Sequence, residues 1–420
     1  MHSMKMFGTH QLRTAMSRLS FRQALPVRLS SSTSKGTSQD DASAHFLDVD
    51  GVKRAHNFSA GPSQLPFEVL KTVQRDLLNW NATGMSFMEL SHRDAGGPVQ
   101  SALMTAKADL RGLLNIPANY KILFFHGGAH AQFAAVPLNF LGARTKADYV
   151  HTGFWSDRAR GEALKYCDAA VVADAADNGF TQIPDVGTWR LRPDAAYVHL
   201  CANETIAGLE LLEDPRLDGM NVVADMTSTL LSRPVDVSRY ACIYASSGKN
   251  LGPAGFCVAI VREDMLAIGA RDYTPSILNY SLQAGSQPIP SLYNTPPTLP
   301  LYVAHLVFQE YVQRGGLAAI EADAKERAAL LYDVVDSSNG FYTNRVQPAY
   351  RSRMNIPFRV RDGDCELEKK FVAEAEAHGI MQIFGHPLFG GLRATLYNGV
   401  PTASLHHLVA FMRKFQAANA

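Results

Sequence analysis

The sequence is poor in cysteine. Five cysteines stand in 420 residues (Cys167, Cys201, Cys242, Cys257 and Cys365), odd in number and with no C-x-x-C spacing. That argues against a disulfide scaffold and a cysteine zinc site, and it suits a reducing compartment. Neither sign of charge is in excess. Forty Lys and Arg against 39 Asp and Glu leave a formal net charge of +1, which gives no electrostatic footprint for nucleic acid or an anionic membrane. No apolar run approaches the about 20 residues that span a bilayer, and no internal repeat is visible. Acidic residues are missing altogether before Asp40, while Lys5, Arg13, Arg18, Arg22, Arg28 and Lys35 are basic and Ser and Thr crowd residues 30–38. An acid-free, Arg- and Ser-rich start reads as an organelle transit peptide, residues 1–45. The alternation of Arg with apolar residues over 12–29 favours a mitochondrion over a plastid. A secretory signal is disfavoured, because no sustained apolar core follows the basic start.

What remains is long enough for a large core in two domains. Folded sequence is expected to begin near Asn57. Helical spacing covers 67–80, with Pro66 suited to a first turn, and a second helix is expected from Pro98 to Leu114. The strand KILFF (121–125) then leads into HGGAH and an apolar helix. Strand signals continue in DYVHTG, AAVVAD, AAYVHLCA, NVVADMT, ACIYASS and FCVAIVR. Such alternation predicts an α/β fold, a mainly parallel sheet flanked by helices. After Tyr293 the pattern changes: two long helices, 299–315 and 317–336, then strands at 354–360 and 391–398 enclosing a helix at 366–378. This predicts a segment 57–66 that joins the small domain, a large domain over 67–312 and a smaller α+β domain over 313–420.

Ligands of open α/β sheets sit beyond the carboxyl ends of the strands, and polar residues gather there. FFHGGAH is a strand, a glycine turn and a helix start. Its free N–H groups suit an anion, most plausibly a phosphate, although a plain tight turn reads the same way. Asp225 ends NVVAD, and Lys249 follows ACIYASS in the stretch YASSGKNLGPAG. An ordinary salt bridge would also use such a pair. Trp155, in HTGFWS, adds an aromatic plate. An anion turn, an aromatic plate, a carboxylate and a lysine are the parts that hold pyridoxal 5′-phosphate: the lysine as Schiff-base amine and proton carrier, the carboxylate opposite the pyridine nitrogen, the plate on the ring face.

At this point NFSAGPSQLP (57–66), SHR (91–93), NETIAG (203–208), VADMTSTLLSRPVDVSRY (223–240), GKNLGPAG (248–255), NTPPT (294–298), RSRMNIPF (351–358) and GGLRATLYN (390–398) resemble the phosphoserine aminotransferase family, a class-V branch of the fold-type I pyridoxal-phosphate enzymes. The resemblance covers essentially everything after the leader. It implies that Lys249 bonds the cofactor, Asp225 pairs with its ring nitrogen, Trp155 stacks on the ring and Thr205 reaches the ring oxygen. Thr227 and Gly248 stand beside the cofactor, and the backbone at Ala129 and His130 cradles its phosphate. Asn294 and Thr295 are implied to reach the phosphate in a neighbouring subunit, which makes a homodimer with shared active sites. Arg393 is implied to bind the substrate α-carboxylate, and His92, Arg93 and His386 its distal acidic group. No metal is implied.

The sequence departs from the family pattern in one theme. Ala129 stands where a glycine is usual, His130 where many bacterial members have arginine, Gly248 where glutamine is usual and Pro387 where arginine is usual. All four touch phosphate recognition, where losing one charged hydrogen bond costs about 1.5–3 kcal/mol. The implied activity is transfer of an amino group between glutamate and 3-phosphohydroxypyruvate in serine biosynthesis. The alternatives are a class-V transaminase of another small acid (alanine, serine or glyoxylate) and a catalytically silent relative. Cysteine desulfuration fits poorly, since Cys365 is the only candidate for a mobile nucleophile.

Overall fold

The described residues of the computed structural model are 45–387 and 389–420; the expected transit peptide lies outside them, apart from its last residue. The strands, in chain order, are β1 (Leu47–Val49), β2 (Val52–Arg54), β3 (His56–Asn57), β4 (Tyr120–His126), β5 (Lys146–His151), β6 (Asp168–Asp174), β7 (Val198–Cys201), β8 (Asn203–Glu204), β9 (Leu209–Glu210), β10 (Val222–Asp225), β11 (Cys242–Ser246), β12 (Phe256–Arg262), β13 (Tyr342–Thr343), β14 (Asn355–Val360), β15 (Ile380–Met381), β16 (Phe384–His386) and β17 (Gly390–Thr395). The helices are α1 (Phe67–Asp76), α2 (Pro98–Leu113), α3 (Ala129–Phe140), α4 (Phe154–Ala163), α5 (Glu263–Ala267), α6 (Tyr280–Ala284), α7 (Thr298–Gln313), α8 (Gly316–Asp336), α9 (Cys365–Ala377) and α10 (Thr402–Asn419).

Seven strands form the main sheet in the order β4-β12-β11-β10-β7-β5-β6. β12 runs antiparallel to both neighbours, and the remaining pairings are parallel. The strands at its centre are buried along their whole length, because helices cover both faces. That is why their sequences read as continuous apolar runs. The register sets Asp225 beside Tyr244 on one side and Cys201 on the other, so the ends of β7, β10 and β11 lie level. A second sheet, β13-β14-β17-β16, has its own core, in which Phe358, Phe371, Leu392 and Phe415 are nearly fully buried. The described residues belong to one compact unit, and the division at 312/313 stands as our proposal for which core each segment serves.

Two features depart from the sequence reading. Order begins before Asn57: β1 and β2 pair as a hairpin around Asp50 and Gly51, both at positive φ, the conformation that an Asp-Gly turn favours. The first helix ends at Asp76, and a short 3₁₀ turn at Trp80–Ala82 follows. Segment 57–66 does meet the C-terminal part. β3 pairs with β15, and Phe58 is buried in the second core. Among the described residues no helix is long and apolar enough to cross a membrane.

Candidate active site

A cavity of about 370 Å³ opens at the level ends of β7, β10 and β11. Asp225 lies in its floor, 4 % exposed. Its Oδ1 accepts the Thr227 N–H at 2.9 Å, and Thr227 Oγ1 accepts the Ser246 N–H at 3.1 Å, which ties the end of β10 to the end of β11. Burial raises the Asp225 pKa above the ordinary carboxylate value; Thr227 and the Lys249 ammonium pull the other way. A buried carboxylate of this kind calls for a cation beside it.

Lys249 borders the same cavity, in the loop between β11 and β12. Its Nζ donates to Thr205 Oγ1 at 3.2 Å and lies 6.0 Å from the centroid of the Tyr397 ring. Its stem passes Gly61, where an added Cβ would come 3.6 Å from Lys249 Cε. Gly248 takes φ +93°, a conformation that favours glycine over any residue with a Cβ.

Trp155 sits in the first turn of α4 and lines the cavity. Glu204 holds that turn. Its Oε2 accepts the Trp155 N–H at 3.0 Å, and its Oε1 accepts the Ser156 N–H at 2.9 Å and hydroxyl at 2.8 Å. A carboxylate on the first N–H groups of a helix suits its dipole, although full burial raises the Glu204 pKa. The His130 ring meets Trp155 edge-on, with centroids 5.8 Å apart.

Across the cavity, α3 starts at Ala129 with no side-chain cap. The first N–H groups of a helix have no partner within it, and here Gly128, Ala129 and His130 border the cavity. Arg393, from β17, and His386, from β16, line it as well. Arg393 Nη1 donates to the Thr205 carbonyl at 3.4 Å, so Thr205 braces both the lysine and the arginine. Burial lowers the Arg393 pKa, yet guanidinium stays charged at neutral pH. His386 is lowered by burial and then by the charge of Arg393.

Of the residues expected in the site, this chain does not bring four to the cavity. Asn294 and Thr295 are exposed, with Asn294 Nδ2 3.2 Å and the Thr295 carbonyl 2.7 Å from His126 Nε2. His92 and Arg93 lie in the turn before α2. Gln100 Nε2 binds the His92 carbonyl at 3.0 Å, and the Arg93 N–H donates to Ser91 Oγ. Those local bonds fix the turn, and neither residue lines the cavity. Sequence reasoning in turn missed Glu204, Ser246, Tyr397 and Gly61. The first of these stands within the motif NETIAG, but its partners are 48 and 49 residues away.

Comparison with known proteins gives a consistent answer. The profile of class-V aminotransferases matches residues 55–399. A phosphoserine aminotransferase of Burkholderia vietnamiensis is 48% identical over 368 residues, 87% of this chain and 100% of the relative. This chain belongs to the phosphoserine aminotransferase family. A phosphoserine aminotransferase structure from Bacillus circulans subsp. alkalophilus superposes with TM-score 0.84 at 40% identity, covering 87% of this chain and 99% of the other. The pyridoxal-phosphate-bound phosphoserine aminotransferase of Trichomonas vaginalis gives TM-score 0.80 at 38% identity, covering 86% and 100%. The fold is thus that of the fold-type I aminotransferases.

Within the family frame, the unusual residues sort by position. Ala129, His130 and Gly248 border the cavity, whereas Pro387 is exposed outside it. Cys365 is exposed at the start of α9, away from the cavity. Cys201 borders the cavity, but burial holds its thiol well above the ordinary pKa, so it is no thiolate nucleophile.

Proposed function

We propose that this chain transfers the amino group between O-phospho-L-serine and 2-oxoglutarate, forming 3-phosphohydroxypyruvate and L-glutamate in either direction, with pyridoxal 5′-phosphate held in the cavity. The observation that carries the reading is the meeting of Lys249, Asp225, Trp155 and Arg393 around one cavity, in a chain so close to phosphoserine aminotransferases. The residues fit the cofactor. The buried Asp225 carboxylate lacks the full counter-charge that a protonated ring nitrogen provides. The start of α3, with no side-chain cap among the described residues, offers N–H groups at the cavity to a phosphate.

When bound, the cofactor supplies a carbonyl carbon that exchanges the amino group and a conjugated ring that spreads the charge left by loss of the α-proton. Lys249 Nζ would hold that carbonyl carbon and would carry the proton to and from the substrate Cα. Thr205 Oγ1 keeps Nζ in place. Asp225 would keep a proton on the ring nitrogen by its charge. Arg393 takes the α-carboxylate as a fork of donors, and His386 stands on the side of the distal anion.

Asn294, Thr295, His92 and Arg93 complete the site only if a second copy presents them. We propose a homodimer with shared active sites on that ground. Mixing Lys249→Ala with Asn294→Ala chains should restore part of the activity that each homodimer lacks. We also propose that residues 1–45 direct the chain to an organelle, a mitochondrion rather than a plastid, which a fluorescent fusion of that segment tests. The activity itself is tested by offering phosphoserine, alanine and serine separately to the loaded protein and following the cofactor absorbance. Conversion with phosphoserine and 2-oxoglutarate-dependent turnover are expected. Conversion with alanine or serine alone would replace the substrate reading.

A further inference from the structure

Behind Asp225 lies a row of buried polar rings that do not line the cavity. The register of the main sheet sets Tyr244 of β11 beside Asp225. It sets His199 of β7 beside Val223, two residues back along β10 and so on the same face as Asp225. Tyr149 of β5 pairs with His199 on the far side. Tyr244 and His199 are both buried. His199 Nε2 lies 2.8 Å from the Tyr244 hydroxyl. The Tyr149 ring stacks on the imidazole, with centroids 4.9 Å apart and planes inclined by 24°. The imidazole is held by a hydrogen bond at its edge and a ring on its face.

This arrangement decides where the protons sit. Burial lowers the His199 pKa to about 3, so the ring is neutral and carries a single N–H. Its Nδ1 is buried with no partner among the described residues. An orphaned buried N–H is rarer than a bare buried acceptor, so the proton belongs on Nε2, which donates to the Tyr244 oxygen. Tyr244 keeps its own proton, because burial and then the Asp225 charge hold its pKa well above the ordinary value. That proton must point away from His199. The acceptor beside it is Asp225, on which Tyr244 acts as a hydrogen-bonding neighbour.

We propose that Tyr244 and His199 are positioning residues for the carboxylate that faces the cofactor: His199 Nε2–H holds the Tyr244 oxygen, and the Tyr244 hydroxyl donates to Asp225. This rests on the function proposed above and concerns the same carboxylate. The row gives Asp225 a neutral donor besides the Thr227 N–H. Burial favours the protonated carboxyl, so each donor helps to keep the charge that a ring nitrogen needs. The other titratable groups that act on Asp225 are Lys249, Cys201, Glu204 and Cys257. Burial keeps both thiols protonated, and it keeps the Tyr149 hydroxyl beside His199 protonated too.

Two measurements test this. Both use the cofactor-free chain, so their failure would strike this proposal and not the transaminase reading, which the cofactor absorbance tests. The first is proton–nitrogen correlation NMR of protein labelled with 15N-histidine, with His199 assigned by its contacts to the Tyr149 and Tyr244 rings. A proton on Nε2 and a bare Nδ1 are expected, unchanged between about pH 5 and 9, the range in which an ordinary histidine titrates. A proton on Nδ1, or an imidazolium within that range, would overturn the proposal.

The second is a double-mutant cycle. The stability gap between Asp225→Asn and the parent is measured against pH, and again with Tyr244→Phe in both chains. Without the hydroxyl, ionised Asp225 loses a donor. The gap should then widen by up to about 150-fold in the unfolding equilibrium, the most that one hydrogen bond to a charged group supplies, and it should close at a higher pH on acidification. Glu204 is common to every chain of the cycle. A purely structural Tyr244 would lower both chains alike. A gap that stays within about twofold and closes at the same pH would therefore overturn the proposal. Should Tyr244→Phe not fold, the imidazole measurement decides alone.

Discussion

Glu204 makes a demanding prediction because it touches neither cofactor nor substrate. It is fully buried, and its two oxygens accept three bonds from Trp155 and Ser156. Glu204→Gln turns one oxygen into an NH₂ group. One N–H at the start of α4 then faces a donor instead of an acceptor. A buried donor left unpaired costs about 1–3 kcal/mol, and at 1.36 kcal/mol per decade that is about 5- to 150-fold. The loss falls on the turn that carries Trp155, so weaker binding of pyridoxal phosphate is expected, up to that bound. Gly153→Ala reaches the same turn from the other side, since its Cβ would lie 2.7 Å from Glu204 Cδ and 2.8 Å from Oε2. Both variants should show reduced cofactor affinity in equilibrium dialysis of the apoprotein and a lowered thermal midpoint. If both kept cofactor affinity within about twofold, the range of a neutral substitution, the positioning role of Glu204 would be refuted.

Other outcomes follow from buried charge. The Asp225 pKa is raised in the folded chain, so its ionised form costs stability above the unfolded value of 3.8, and that cost fades as pH falls through the folded pKa. Cofactor-free Asp225→Asn should therefore melt higher than the parent at neutral pH, with a gap that shrinks on acidification, and should fail to transaminate. Burial lowers Lys107 to about 7, where it donates to the Pro290 carbonyl. Stability should rise with pH between about 7 and 10.5, and the melting difference between Lys107→Met and the parent should change over that window and not outside it. Gly248→Gln places a Cβ at φ +93°, with Ala254 Cβ 3.4 Å away. The space is ordinary, so the conformation alone should cost about 1–2 kcal/mol, seen as a lower denaturant midpoint.

Much of the site was legible because parallel strands put their chemistry at their ends. Asp225 and Lys249 could be read from the residues closing NVVAD and following ACIYASS, and Trp155 from the turn after DYVHTG. The parts that stayed hidden depend on distance in three dimensions. Glu204 looks like any buried acid until α4 is folded onto it from 48 positions earlier. Tyr397 gains meaning only when the small sheet meets the loop of Lys249. The motif SHR points to His92 and Arg93 as near neighbours of the substrate, but a motif does not say where its turn packs, and neither residue lines the cavity. The hairpin at Asp50–Gly51 was legible through its turn residues and was overlooked beside the basic leader.

The account rests on Lys249 being the amine that bonds the cofactor, and borohydride reduction of the loaded protein followed by peptide mapping tests this most directly. Reduction should fix the phosphopyridoxyl group on the peptide that contains Lys249, and prior incubation with phosphoserine should prevent the labelling. Label on another lysine, or labelling that phosphoserine leaves untouched, would contradict it.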